Sequence, residues 1–418
     1  MRIITIKKAL TLTSQPEKNQ STKSVQAIID KVAKNGDTAL LSFEKKFNGV
    51  NIKNLLVSKR EITDAYESVT KEQVSAILEA KNQLTKTESI LKRQLKKIRI
   101  IANGTKITKS FEPLVSVGCY VPGGLARYPS SAIMSIVPAK LAGVKTIVVV
   151  TPPNKQGKID PLVLVAADTC GADMVFKVGG AHAIAALALG TKSIPKVDKI
   201  VGPGGSFVTT AKYLVTSMTS IDMLAGPTEL AILADDTADP KLVALDLISQ
   251  AEHSSDTKCV LITTSQSLAG KVASEITKLL SVIPRKDLVQ SSLQKNGFIA
   301  VGTLSDAILF ANKLAPEHIQ VMIKNANKIA QRIKTAGLVL IGSNTPSAAS
   351  DYVLGTNHIL PTNQFGRSRG SLSVLDFMKI QTSAESSKQT LQKISKHLKI
   401  LTDSENLPNH YGAVRARL

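Results

Sequence analysis

Through residues 1–100, apolar side chains recur at helical spacing among Lys, Glu, Gln and Ser, which predicts a mainly helical, amphipathic segment. From about residue 110 the texture changes. Short β-branched runs alternate with helix-length stretches, each bounded by Gly or Pro. Strands are predicted at Thr146–Val150, Met174–Val178, Lys199–Val201, Ala231–Ala234, Cys259–Thr263, Phe298–Val301, Ile319–Ile323 and Gly337–Ile341. Helices are predicted between them at Ser131–Ala142, Pro161–Thr169, Ala181–Leu189 and Leu242–Glu252. Near-continuous apolar strands alternating with helices imply parallel, doubly wound α/β sheets, and the number of units suffices for two. After about residue 373 the pattern turns helical and polar again, through Lys388–Leu401 to the C-terminus. Packing on a partner subunit would explain such a tail.

Composition narrows the class. The 418 residues are 43 % hydrophobic and 20 % charged, as in a globular protein with ample core. No window approaches about 20 apolar residues, so a membrane span is excluded, and the N-terminus lacks the apolar length of a signal peptide. Cys119, Cys170 and Cys259 sit in apolar surroundings without CxxC pairing, which reads as buried thiols in a reducing cytosol. A cytoplasmic protein is expected. The formal net charge of +21 raises nucleic-acid binding as an alternative. However, the densest basic stretch (Lys92, Arg93, Lys96, Lys97, Arg99) falls in a predicted amphipathic helix, as a solvated face. Aromatics are 4 %, Trp is absent, and no zinc-finger, helix-turn-helix or RRM signature occurs. Nucleic acid is therefore not an expected partner.

Candidate chemistry gathers at loops. Gly202-Pro203-Gly204-Gly205 follows a predicted strand and opens a helix at Phe207, but lacks the third glycine of GxGxxG. It is read equally as a phosphate-binding or a structural turn. Pro122-Gly123-Gly124 and Gly179-Gly180 occupy similar junctions. Only six histidines are present. Gln250 and His253, three apart on a predicted helix, share a face. Glu317-His318 at an element boundary could supply two proton-handling groups of different pKa. Asp351-Tyr352 and Gly355-Thr356-Asn357-His358 form a polar loop, and His410 follows Glu405 in the tail. Gln250, His253, Asp351 and His410 together offer donors that suit zinc, although no spacing rule links positions so far apart.

Tyr120-Val121-Pro122-Gly123-Gly124, Val178-Gly179-Gly180-Ala181, Ile221-Asp222-Met223, Ala225-Gly226-Pro227-Thr228-Glu229, Gln250-Ala251-Glu252-His253, Ala315-Pro316-Glu317-His318 and Leu360-Pro361-Thr362 occur in one order across about residues 110–410. This ordered set resembles the histidinol dehydrogenase family. The resemblance implies two Rossmann-like, doubly wound domains: 15–119 with 230–372, and 120–229. A 1–14 extension and a 373–418 helical extension swapped between the subunits of a homodimer complete the chain. It implies one zinc ion per subunit on Gln250, His253, Asp351 and a partner's His410, with Glu317 and His318 as the acid/base pair. Thr228, standing where the family usually has Ser, and Gln250, His253, His318, Asp351, Tyr352, His358, Glu405 and His410 would contact the substrate. Tyr120, His182 and Gly205 fall on the cofactor side. The implied reaction is four-electron oxidation of L-histidinol to L-histidine through a bound aldehyde, using two NAD.

Three positions depart from the family pattern. His182 replaces a usual Gln, Gly205 a usual Asn, and Leu224 a usual Pro. The first two bear on NAD affinity and on the choice between NAD and NADP. A related zinc dehydrogenase acting on a sulfonated diol is the alternative within the class. Tyr352, His358 and Glu405 favour histidinol.

Overall fold

The computed structural model describes residues 1–12, 22–123 and 127–418. In chain order its strands are β1 (Arg2–Thr5), β2 (Ile98–Ala102), β3 (Thr105–Pro113), β4 (Ser116–Tyr120) and β5 (Thr146–Thr151). There follow β6 (Met174–Lys177), β7 (Lys199–Val201), β8 (Ser220–Ile221), β9 (Glu229–Ala234) and β10 (Lys258–Thr263). The last are β11 (Phe298–Val301), β12 (His318–Met322), β13 (Leu338–Ile341) and β14 (Met378–Glu385). They form three sheets, ordered β1-β11-β10-β9-β12-β13, β6-β5-β4-β7-β8 and β14-β3-β2. The first two are wholly parallel and the third is antiparallel.

The two parallel sheets are those the apolar runs imply. All six residues of β9 are buried, because helices cover both faces. Leu230 and Ile232 pack with Leu247, Leu261 and Val272 on one face, while Ala231 and Leu233 meet Ile262, Phe310 and Ile319 on the other. That is the period-two alternation of a strand, with apolar residues at every position from Leu230 to Ala234. Helix starts follow local capping chemistry. The Asp239 carboxylate accepts the Lys241 N–H ahead of helix Pro240–Ala251, and Asp160 does the same for Leu162 ahead of Pro161–Cys170.

Three features depart from the predicted pattern. Within the segment 15–119, the helices Thr22–Phe43 and Lys71–Gln94 pack on the five-stranded sheet rather than the six-stranded one. Val25, Ile29, Val32 and Leu40 meet the Ala-rich helix Gly180–Leu189, whose small side chains allow close approach. The start of the 373–418 extension is also not helical. Met378–Glu385 forms β14, paired along its whole length with β3. Seven of its eight residues are exposed, so it carries no one-sided apolar signature. Finally, the basic stretch leaves its helix at Gln94, and Arg99 lies in β2. A helix does follow β14, Lys388–Ser404, and then Pro408–Arg415. No helix among the described residues is long and apolar enough to cross a membrane. All three cysteines are free and buried.

Candidate active site

Parallel pairing of β9 with β12 sets His318 opposite Leu230. Thr228, Glu229 and Glu317, at or just before the strand starts, therefore share one edge of the six-stranded sheet. The Glu229 N–H donates to Glu317 Oε2 (2.8 Å), fixing that carboxyl beside His318, whose Nδ1 lies 3.8 Å away. Asp351, from the turn after the short helix Ser347–Ser350, completes the group. Its two oxygens lie 3.8 Å from His318 Nε2 and 4.0 Å from His253 Nε2.

Burial dominates the electrostatics. It pushes the Glu317 carboxyl well above the ordinary carboxylate range, against the Glu229 N–H bond that favours ionisation, and the charges of Glu229 and Asp351 add to the rise. It lifts Asp351 to about 7. It depresses His318 to about 3, and neither ring nitrogen of His318 has a hydrogen-bond partner. A buried carboxyl whose charged form is disfavoured beside a buried imidazole whose charged form is disfavoured sets two proton-handling groups side by side.

His253 lies just past the end of helix Pro240–Ala251, where Glu252 is the cap. Its N–H reaches the Gln250 carbonyl (3.2 Å). The Gln250 amide oxygen accepts from Ser347 Oγ (3.4 Å), while its buried amide nitrogen has no partner. His358 Nδ1 lies 2.7 Å from the Asp351 carbonyl. The ring therefore donates there and leaves Nε2 facing Ser131 Oγ at 3.5 Å. Asn357 Nδ2 donates to the Met134 carbonyl (2.8 Å), tying this loop to the helix Pro129–Ala142 of the second sheet. Tyr352 is exposed beside Asp351 and Thr228 is half-buried. Among the described residues no group of three His, Cys, Asp or Glu side chains is gathered as a metal cluster.

Two predicted residues are not in this group. Glu405 caps helix Lys388–Ser404, and His410 lies on helix Pro408–Arg415. Both are exposed on the tail of their own chain. The cofactor-side residues lie at the second sheet. Tyr120 ends β4, and its hydroxyl accepts the Gly180 N–H (3.2 Å). Gly202 takes a positive φ of 114° directly against the Tyr120 carbonyl, where any Cβ would collide. Gly205 opens helix Ser206–Leu214 with open space around it. His182 is buried within helix Gly180–Leu189.

Sequence reasoning gave no role to Glu229, Ser131, Ser347, Glu44 or Lys212. The only local signal was charge inside an apolar run, as at Glu229 and Lys212. Asp246 also escaped notice. It lies one turn before Gln250, and burial pushes its carboxyl to about 6. A carboxyl raised on folding contributes stability that is present below pH ~4 and lost as pH rises to about 6. Asp246→Asn is therefore expected to be more stable than the parent at pH 8 and level with it at pH 4, measured by urea unfolding. An equal effect at both pH values would contradict this.

A buried acid/base pair and a carboxylate between two imidazoles, gathered at one edge of a parallel α/β sheet, define an enzyme site that moves protons at a bound substrate. The comparisons make it specific. The histidinol dehydrogenase family model matches residues 12–418. Histidinol dehydrogenase of Methanocaldococcus jannaschii is 42 % identical over 395 residues, covering 94 % of this chain and 92 % of that protein. The enzyme of Clostridium acetobutylicum is 42 % identical over 398 residues, with the same coverage. The crystal structure of histidinol dehydrogenase from Elizabethkingia anophelis superposes with a TM-score of 0.93 at 33 % identity, over 100 % of this chain and 97 % of that one. The chain belongs to the histidinol dehydrogenase family, oxidoreductases that use NAD.

Proposed function

We propose that the protein oxidises L-histidinol to L-histidine by two successive two-electron steps, as a cytoplasmic homodimer with one zinc ion per subunit. The observation that carries this is the convergence of Glu317, His318, Asp351 and His253 in one partly buried site. The donor set fits a zinc ion. The His253 imidazole and the Asp351 carboxylate, 4.0 Å apart, are ligand types that zinc takes, and the Gln250 amide oxygen is a further oxygen donor. Gln250, His253 and Asp351 would hold the metal from one chain and His410 from the partner. Zinc would supply a template and electrostatic anchor for the substrate's nitrogens, and NAD the hydride acceptor for both oxidations. His318, neutral and unpaired, accepts the carbinol proton. Glu317, fixed by the Glu229 N–H, handles the proton of the water that adds to the bound aldehyde. Tyr352, His358, Thr228 and the partner's Glu405 contact the substrate. Tyr120, His182 and Gly205 face the dinucleotide.

Two NADH per L-histidine, lost on chelation and restored by zinc, is the expected result with purified protein and L-histidinol. No turnover by zinc-loaded protein would overturn the assignment. The exposed tail helices support a shared site, because His410 and Glu405 otherwise have no place in the chemistry. Mixing inactive His410→Ala with inactive Glu317→Gln subunits, after dissociation and reassociation, should restore about a quarter of the sites. Activity that stays at the level of the unmixed variants would remove His410 from the partner's site.

A further inference from the structure

The helix Thr22–Phe43 runs directly into a wide five-residue turn, Glu44–Asn48, closed by Gly49 at φ 68°. Such π-type turns swing a side chain out of α-helical register. Here the turn delivers Glu44 into the interior, where it is fully buried. Glu44 Oε1 accepts the Gly179 N–H (2.9 Å) and lies 2.8 Å from His182 Nε2, while Asn48 Nδ2 donates to Oε2 (2.5 Å).

Gly179 and Gly180 begin the helix Gly180–Leu189. Free N–H groups and the dipole at such an end would ordinarily draw an external anion. Both N–H groups are already engaged, one by the Glu44 carboxylate and the other by the Tyr120 hydroxyl. A carboxylate only accepts, so Nε2 carries the hydrogen, and in the neutral imidazole Nδ1 then keeps a lone pair. That Nδ1 is buried without a partner, 3.5 Å from where a Cβ on Gly180 would stand. Phe43 and Phe47, with ring centroids 5.4 and 6.1 Å from the imidazole, limit its rotation. An unpaired buried acceptor is costly, and a ligand that donates to it recovers the cost.

We infer that Glu44 is a positioning residue of the cofactor site. It fills the anion-binding end of helix Gly180–Leu189 and fixes His182 in the Nε2–H tautomer. This corner therefore takes a hydrogen-bond donor of the dinucleotide, a ribose hydroxyl or the carboxamide N–H, and not a phosphate. The role of Glu44 rests on the cofactor-side placement of His182 proposed above.

With six histidines in the chain, selective 15N-histidine labelling resolves the rings, and His182→Gln assigns the resonance. The cofactor-free protein should show His182 as the Nε2–H tautomer, and saturating NAD should shift its Nδ1 signal upfield. The same shift with ADP-ribose identifies a ribose hydroxyl as the donor, whereas a shift with NAD alone identifies the carboxamide. Glu44→Ala should show mixed tautomers, bind NAD roughly tenfold more weakly by calorimetry, and raise KM for NAD with little change in kcat. If Glu44→Ala does not fold, the titration of the parent protein decides. An Nδ1 signal unmoved by NAD, with His182→Ala still weakening NAD binding, overturns the role of Glu44 and leaves the placement of His182 standing. Unchanged NAD affinity in His182→Ala overturns both.

Discussion

Glu317→Gln and His318→Ala are each expected to lower kcat by roughly 10²–10⁴-fold, the usual worth of a positioned acid or base. Zinc content should stay at the parent level, because neither side chain belongs to the proposed ligand set. Gln keeps the shape of Glu317 and can still accept the Glu229 N–H, so a loss in that variant reports the missing proton rather than a collapsed site. His318 has no hydrogen-bond partner to lose, which makes its removal a test of chemistry and not of a structural bond. The two effects should also separate by step. Without Glu317 the aldehyde forms but hydrates slowly, so NADH formed per histidine should rise above two in early turnover. Without His318 the first oxidation itself fails. Parent-like kcat in both variants would remove the assigned roles.

The second large effect concerns stability. Lys212 and Asp222 form an ion pair that is almost fully buried. The Lys212 ammonium also donates to the Gly202 carbonyl (2.9 Å), and the Asp222 carboxylate accepts the N–H groups of Gly202 (2.8 Å) and Met223 (2.5 Å). One network thus clamps both ends of the residue that turns under Tyr120. Removing one partner leaves the other charge buried and uncompensated, and Lys212→Ala is expected to cost about 3–5 kcal/mol. Since the chain lacks Trp, urea unfolding followed by circular dichroism is the suitable readout. A cost below about 1 kcal/mol would mean that water reaches the pair, as it does for surface bridges. NAD affinity should fall in the same variant, because the Gly202–Gly205 turn loses its anchor.

Asp222 shows how legible the site was. It stood in a noted string, Ile221-Asp222-Met223, yet nothing local tells a buried clamp from a surface turn. Its partner Lys212 is ten residues away, on the same helix as the exposed Tyr213. The parallel strands were far easier to read, since β5, β7, β9, β10 and β11 each centre on a run of buried apolar residues bounded by Gly, Pro or polar turns. β14 was not read at all. Its residues are mostly exposed, and its pairing with β3 spans more than 260 positions of sequence.

By itself, the sequence determined that two parallel α/β sheets form, where most of their strands and helices begin, and which acidic, imidazole and glycine residues were available for chemistry. Those features depend on local burial, capping and turn preferences, which act over a few residues and leave a periodic trace. The tertiary structure decided that Glu317 and His318 meet Asp351 and His253, that Glu44 closes the helix end beside His182, and that the N-terminal helices cover the second sheet. These outcomes depend on which surfaces pack together. They join residues from distant segments through side-chain geometry that no periodic pattern encodes.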